Sequence, residues 1–347
     1  MTEAERIPLH VVTGFLGAGK TTLINRLLSA PELAETLVIV NEWGEIGLDH
    51  LLFETIADDV ILMAAGCLCC TLRGDLIDGL HDVLQRRDAG AMPPFARIVL
   101  ETTGLADPAP ILHAWLADPM LARRTEIAGV TTVVDAVNGV VTLAAHGEAR
   151  RQVALADRIA LTKVDLVSAP LALARLREAL DEINPAARVL DVASGDFGAR
   201  DFLAGPLDFP MPARASRMSA HGGSVRARVF TTTEPVGAAA LARFLNCLGA
   251  MLGPRLLRVK GLVATTELPD RPLLIQGAQH VFHPPRRLAG WPDGSRETRL
   301  VVISDGLESA EILGLWRALV GIPETDRPDL AALADNPLAP RFGGLLG

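Results

Sequence analysis

The residues with the clearest chemical meaning are Gly14-Phe15-Leu16-Gly17-Ala18-Gly19-Lys20-Thr21-Thr22, which fit the phosphate-loop pattern G-x-x-x-x-G-K-[ST]. The small residues Gly14, Gly17, Ala18 and Gly19 let backbone N–H groups approach phosphate oxygens. A helix starting just beyond them adds the partial positive charge of its N-terminus. In this arrangement Lys20 reaches the β- and γ-phosphates and the Thr21 hydroxyl ligates Mg²⁺, with Thr22 closing the motif. Further along stand Glu101-Thr102-Thr103-Gly104. An acidic group there can hold the Mg²⁺ shell, and Gly104 can offer its N–H to the γ-phosphate. Leu161-Thr162-Lys163-Val164-Asp165 is similar to the guanine-reading N-K-x-D signature, with Thr162 in place of the usual asparagine. The Asp165 carboxylate can accept from guanine N1–H and N2–H₂, a donor pair adenine lacks. Ala193-Ser194-Gly195 could bring a backbone N–H at Ser194 to guanine O6.

A second chemistry sits in Gly66-Cys67-Leu68-Cys69-Cys70. Thiolates suit Zn²⁺, Co²⁺ or Cu(I), and three clustered donors leave room for a fourth ligand or an exchange partner. Buried structural cysteines and a redox pair are the alternatives, but packing poorly explains three cysteines within four positions. Cys247, inside an apolar helical pattern, is expected in the core. Between these sites, Asn41-Glu42-Trp43-Gly44-Glu45, followed by Gly47 and Asp49, has the composition of a switch loop near the γ-phosphate. Glu45 and Glu42 are candidates to position a hydrolytic water.

The elements that must hold these groups alternate as in a parallel α/β sheet. Strands are expected at 9–13, 37–41, 60–64, 97–101, 129–135, 158–162 and 188–192, mostly as continuous apolar runs covered on both faces. The clearest helical patterns are 75–86, 148–156 and 171–183. Each chemical motif follows a strand, and Leu23, Leu27 and Leu28 give the helix after the phosphate loop its apolar stripe. Residues 1–204 are therefore expected to form a P-loop domain, and 205–223, with prolines and a Gly-Gly pair, a linker. Residues 224–321 read as a smaller α+β domain: strands at 225–232, 257–265, 272–276, 279–283 and 298–303 grouped with helices at 236–252 and 307–319. The proline-rich stretch 322–347 reads as an irregular tail. His280 and His283 would point to opposite faces of their strand, so a shared metal is not expected.

The chain has 347 residues, enough for two domains of about 150 each. No segment approaches the ~18 uninterrupted apolar residues of a membrane span. A formal charge of -8 argues against nucleic acid as a partner. The polar start, with no signal peptide, makes the cytoplasm the expected compartment. Four cysteines in such a chain point to metal or redox chemistry rather than a disulfide framework.

Taken in order, the phosphate loop, Asn-Glu-Trp-Gly-Glu, Gly-Cys-Leu-Cys-Cys, Glu-Thr-Thr-Gly-Leu-Ala-Asp-Pro and Thr-Lys-Val-Asp closely resemble the CobW-type GTPases, relatives of the UreG and HypB metallochaperones. Leu257-Arg258-Val259-Lys260-Gly261 and Gln279-His280-Val281-Phe282-His283-Pro284 look like the CobW C-terminal domain. The resemblance spans residues 7–319. It implies a GTPase, with Mg²⁺ as cofactor, that binds Zn(II) or Co(II) through Cys67, Cys69 and Cys70. It would deliver the metal to a client protein under nucleotide control. Lys20, Thr21, Glu101 and Gly104 would serve the phosphates and Mg²⁺, and Thr162, Lys163 and Asp165 the base. Some members carry a histidine-rich stretch near the linker; its absence here speaks against metal storage. A homodimer is compatible with this reading. The rivals are an ATP-dependent kinase or ligase using the same loop, and a non-catalytic metal-responsive switch.

Overall fold

A computed structural model of the chain describes residues 6–41, 52–57, 60–65, 73–205, 224–279, 281–282, 285–292, 294–306 and 309–321, with backbone only for 41–75 and 309–310 where these are included. β1 (Ile7–Gly14) leads through the glycine-rich loop into α1 (Lys20–Leu28), followed by β2 (Thr36–Asn41), β3 (Leu52–Ala57), β4 (Val60–Ala65) and α2 (Arg73–Asp88). Next come β5 (Arg97–Glu101), α3 (Ala109–Ala117), α4 (Pro119–Arg124), β6 (Thr125–Asp135), α5 (Gly139–Ala145) and α6 (Gly147–Leu155). β7 (Arg158–Thr162), α7 (Pro170–Ile183), β8 (Arg188–Asp191) and α8 (Ala199–Leu203) complete this part.

Among the described residues these strands form one sheet in the order β3-β4-β2-β5-β1-β6-β7-β8. All neighbours run parallel except β3, which pairs antiparallel with β4 at the edge. This edge strand was not expected from the sequence. Leu52-Phe53-Glu54-Thr55-Ile56-Ala57 mixes apolar and polar residues as a strand with one partner does, unlike the buried runs that mark the others.

Strand alternation explains the layers. On one face Leu9, Val11, Leu37 and Ile39 join Leu80 and Leu84 of α2 and Leu112 and Trp115 of α3. On the other face Val12, Val38 and Val99 meet Leu23, Ile24 and Leu27 of α1 with Phe197 and Phe202. Neither face is wet, so the strands read as nearly unbroken apolar runs.

The second sheet starts at β9 (Val225–Thr232), followed by α9 (Ala238–Leu252), β10 (Leu256–Val263), β11 (Leu273–Ala278), β12 (Val281–Phe282), β13 (Arg286–Arg287), β14 (Thr298–Asp305) and α10 (Ser309–Leu319). It is antiparallel, in the order β12-β11-β10-β14-β9, with β13 beside β11. Phe230, Val259, Leu300 and Val302 pack against Leu245 and Leu248 of α9 and Trp316 of α10. The alternate residues Leu257, Leu262, Val301 and Ile303 share a core with Val153 of α6 and Leu176, Leu180 and Ile183 of α7. The second sheet is thus covered on its far face by the helices of the first. Cys247 was expected in the core and is exposed. The buried stripe of α9 runs through Leu241, Phe244, Leu245, Leu248 and Leu252, and Cys247 falls outside it. No helix among the described residues is long and apolar enough to cross a membrane.

A buried ionic cluster crosses this contact. The Asp157 carboxylate is 1% exposed. One oxygen accepts from Arg258 at 2.5 Å and Lys260 at 3.2 Å; the other accepts from the Val130 backbone N–H at 2.9 Å. Burial alone would raise its pKa, but Arg258, Lys260 and Arg158 outweigh burial and hold the carboxyl well below its ordinary range. Its stabilisation is therefore complete above about pH 4 and is lost only as the pH falls below that. Asp157→Asn leaves buried cations without their counter-charge, so urea unfolding is expected to show a loss of about 3–5 kcal/mol. A loss under about 1 kcal/mol would mean the cluster is not holding the sheets together.

Candidate functional site

The phosphate loop leaves β1 at Gly14 and enters α1 at Lys20, and its turn depends on backbone angles that suit glycine. Gly17 has φ +68 and Gly19 φ +94. At Gly14 a Cβ would stand 2.3 Å from the Val133 carbonyl oxygen. The loop is consequently pressed onto β6, with the N-terminus of α1 turned toward the carboxyl edge of the sheet. Lys20 is 9% exposed, and its ammonium donates to the carbonyls of Gly14 at 2.9 Å and Phe15 at 3.3 Å. The Thr21 hydroxyl donates to Glu101 Oε1 at 2.8 Å. These are two hard oxygen donors side by side at a phosphate loop. Such a pair fits Mg²⁺, which takes one or two protein ligands and fills its shell with phosphate oxygens and water.

A cavity of about 450 Å³ opens here, lined by Gly17, Gly19, Lys20, Thr21, Glu101 and Gly104 among others. It gathers the phosphate-loop residues and the strand-end group expected from sequence. Gly104 lies against the loop so closely that a Cβ would stand 2.7 Å from Leu16 N and 2.8 Å from Leu16 Cα.

The expected base-reading residues lie beyond the other end of the loop. Thr162 Oγ1 donates to the Ala18 carbonyl at 2.7 Å. Lys163, in a left-handed conformation at φ 58, donates to the Gly17 carbonyl at 2.9 Å and to Asp135 Oδ2 at 2.7 Å. Asp165 is exposed in the short turn Val164–Leu166. Ser194 is exposed in the turn after β8, where Asp191 accepts from the N–H groups of Ala193 at 2.8 Å and Ser194 at 3.3 Å. Thr162 and Lys163 thus touch the phosphate loop directly, while Asp165 and Ser194 are exposed and make no hydrogen bond with it.

Three contacts escaped sequence reasoning. Asp135 is the first. Burial pushes its carboxyl up, and hydrogen bonds from Lys163 and Asn138 outweigh this and hold it below the usual range. An acidic residue ending a long apolar strand, where α/β sheets bind ligands, was the available signal. Phe15 stacks on His146, ring centroids 4.4 Å apart. Gln152 of α6 donates to the Gly104 and Ala106 carbonyls at 3.1 and 3.0 Å. No local pattern marks either of these last two. Glu42, Glu45, Cys67, Cys69 and Cys70, together with His280 and His283, lie outside the described residues. Among the described residues no group of three His, Cys, Asp or Glu side chains is placed to hold a metal.

A parallel sheet, a phosphate loop with Lys20 and Thr21, and Glu101 at the neighbouring strand end define a P-loop nucleotide-binding protein. Residues 8–191 match the family described as CobW/HypB/UreG, nucleotide-binding domain, and residues 225–320 match the cobalamin synthesis protein cobW C-terminal domain. The chain belongs to the CobW/HypB/UreG family. It is 32% identical over 319 residues to the zinc chaperone YjiA of Escherichia coli (strain K12), covering 90% of this chain and 98% of that protein. To the zinc chaperone CobW of Pseudomonas aeruginosa it is 30% identical over 354 residues, covering 91% and 92%. The crystal structure of Zn(II)-bound YjiA GTPase from E. coli superposes with a TM-score of 0.73 at 29% identity, covering 91% of this chain and 99% of that one.

The contact of Gly104 with Leu16 leaves no room for a side chain. Gly104→Ala is expected to push the strand-end loop off the phosphate loop and lower GTP turnover by about 10², the cost of a misplacement near 1 Å. Turnover equal to that of the unmodified protein would remove Gly104 from the phosphate site.

Proposed function

We propose that this chain is a cytoplasmic zinc metallochaperone. In this reading it hydrolyses GTP with Mg²⁺, takes Zn(II) at Cys67, Cys69 and Cys70, and releases it to a client metalloprotein under nucleotide control. One observation carries the reading. Asn41 and Ala65 are register partners on β2 and β4, and Val40 is the partner of Glu101 on β5. The segment with Glu42 and Glu45 and the segment with the three cysteines therefore start from adjacent strands. Both start at the carboxyl edge that carries Thr21 and Glu101. Zinc is favoured over cobalt because similar proteins along most of the chain are named zinc chaperones.

Lys20 would exchange the carbonyls of Gly14 and Phe15 for β- and γ-phosphate oxygens, neutralising charge as it develops. Bound between the Thr21 hydroxyl, Glu101 and the phosphates, Mg²⁺ would supply further charge neutralisation. Gly104 would donate its N–H to the γ-phosphate. Glu45, with Glu42 close in sequence, would orient the water that attacks γ-phosphorus in line. The bond to the β–γ bridging oxygen then breaks, yielding GDP and phosphate. Thr162 and Lys163 would brace the base pocket against the phosphate loop, Asp165 would pair with guanine, and the Ser194 N–H would meet O6. Loss of the γ-phosphate releases the Glu42–Glu45 segment and with it the neighbouring thiolates.

Two measurements test this. Competition titration of Zn(II) against a chromophoric chelator is expected to show tighter binding with a GTP analogue than with GDP, by roughly 5–150-fold. Cys69→Ser should abolish most of that binding without changing nucleotide affinity in the absence of metal. Equal zinc affinity in the two nucleotide states would leave a GTPase with a static metal site. Separately, GTP should outcompete ATP, and Asp165→Asn should shift preference toward a xanthine nucleotide, because the changed side chain leaves guanine groups unpaired. Equal binding of GTP and ATP by the unmodified protein would overturn the base assignment.

A further inference from the structure

Helix α6 and the residue that caps it touch three separate parts of the molecule through three residues, His146, Arg151 and Gln152. At its N-terminal end His146 stacks on Phe15 of the phosphate loop. In its middle Gln152 holds the Gly104 and Ala106 carbonyls. The preceding residue, Arg151, places one guanidinium between two carboxylates. Asp305, at the end of β14 in the second sheet, accepts at 2.8 and 3.2 Å, and Asp107, three residues beyond Gly104, lies at 4.0 Å.

The Gln152 amide is not arranged for stability alone. The residue is 1% exposed, and its donor end faces two carbonyls. Its Oε1 is buried with no hydrogen-bond partner among the described residues. A buried acceptor left unpaired is a net cost, set here against the two carbonyls that the amide donors satisfy. The amide donors grip the peptide that would face the γ-phosphate. The helix itself is held firmly. Thr132 donates to the Gln152 carbonyl at 2.7 Å, and the Asn184 amide caps the carbonyls of Val153, Ala154 and Ala156. A shift at Gly104 is therefore passed to a rigid body rather than absorbed locally. The Arg151–Asp305 pair behaves as a true ion pair from both sides: Asp305 raises the Arg151 pKa. Burial raises that of Asp305, and hydrogen bonds from Ser224 and Arg151 more than offset it.

We propose that α6 links the γ-phosphate loop to the C-terminal domain, with Gln152 as the positioning residue for Gly104 and Arg151 dividing its charge between Asp107 and Asp305. The inference rests on the GTP-binding reading above and adds to it a route by which nucleotide state reaches the second sheet. When the γ-phosphate draws the Gly104 peptide, Asp107 moves with it, and the share of Arg151 available to Asp305 changes. The coupling would run through a defined set of contacts, and a second arrangement of them is what the exchange measurement below detects.

The test uses the full chain and two variants. Amide hydrogen exchange at residues 224–232 and 298–306 is measured with Mg²⁺ and a GTP analogue, then with GDP. The unmodified protein is expected to differ between the two states. Gln152→Leu keeps size and removes the donor. It is expected to lower kcat by about tenfold with KM changed less than about threefold, and to erase the exchange difference. Asp305→Asn, at the far end of the route, is expected to erase the exchange difference while turnover stays within about twofold. No nucleotide-dependent exchange in the unmodified protein, or an unchanged kcat in Gln152→Leu, overturns the proposal. GTP binding without any exchange difference removes only this coupling. Failure of the unmodified protein to bind GTP removes the underlying reading as well.

Discussion

The ionised carboxylate of Asp157, sealed between the two sheets, is the contact on which the arrangement of the molecule depends. It sits at the amino end of β7 and pins β6 through the Val130 N–H and β10 through Arg258 and Lys260. The next residue, Arg158, is also fully buried and must point the other way along the strand. Its guanidinium donates to the carbonyls of Phe202 and Ala204 at the carboxyl end of α8, groups the helix itself leaves unpaired. It also fills the space beside Gly129, where a Cβ would stand 2.6 Å from it. Two adjacent residues of opposite charge therefore tie three layers together. Removing Asp157 would leave the buried cations Arg258 and Lys260 without their counter-charge. The lock lies at the amino edge of the sheet, leaving the carboxyl edge to the chemistry.

The second sheet does not stand apart from the first. An antiparallel sheet commonly keeps one face in water and alternates accordingly. Here β10 is buried along its whole length, and Leu300-Val301-Val302-Ile303 sends alternate residues into two different cores. The helices α6 and α7 are shared, serving as the outer layer of the first sheet and the inner support of the second. A contact this apolar resists sliding, and beside the Asp157 cluster the shared helices are the route that joins the two sheets.

Much of this was legible in the residues. Buried parallel strands announce themselves as apolar runs, and the phosphate loop, Glu101, Gly104 and Thr162-Lys163 follow strand ends as sequence order requires. The edge strand β3 was not legible, because a strand with one neighbour needs no unbroken apolar run. Cys247 was misjudged because residue type was weighed above helical phase; counting from Leu248 would have placed it off the buried stripe. The continuous run in β14 did carry a signal of a second covered face, and it was read only as a strand. Contacts joining residues 17 and 163, or 104 and 152, arise from topology and leave no local mark.

The two ends of the nucleotide site are built differently, and that difference suits a switch. At the base end Lys163 is held in a left-handed conformation, a strain of about 1–3 kcal/mol for a residue with a side chain. It is kept there by Asp135 and the Gly17 carbonyl, so this end is formed before any nucleotide arrives. On the reading proposed above it would meet groups that GTP and GDP have in common, and equal affinity for two states shifts no equilibrium however tight the binding. Discrimination has to come from the other end, where the Gly104 peptide is held by one amide from Gln152 and packed on Leu16. One of the anchors of that end belongs to the helix that supports the second sheet. A γ-phosphate acting there would pull on a peptide tied to that helix, where a small differential contact can be converted into a change elsewhere.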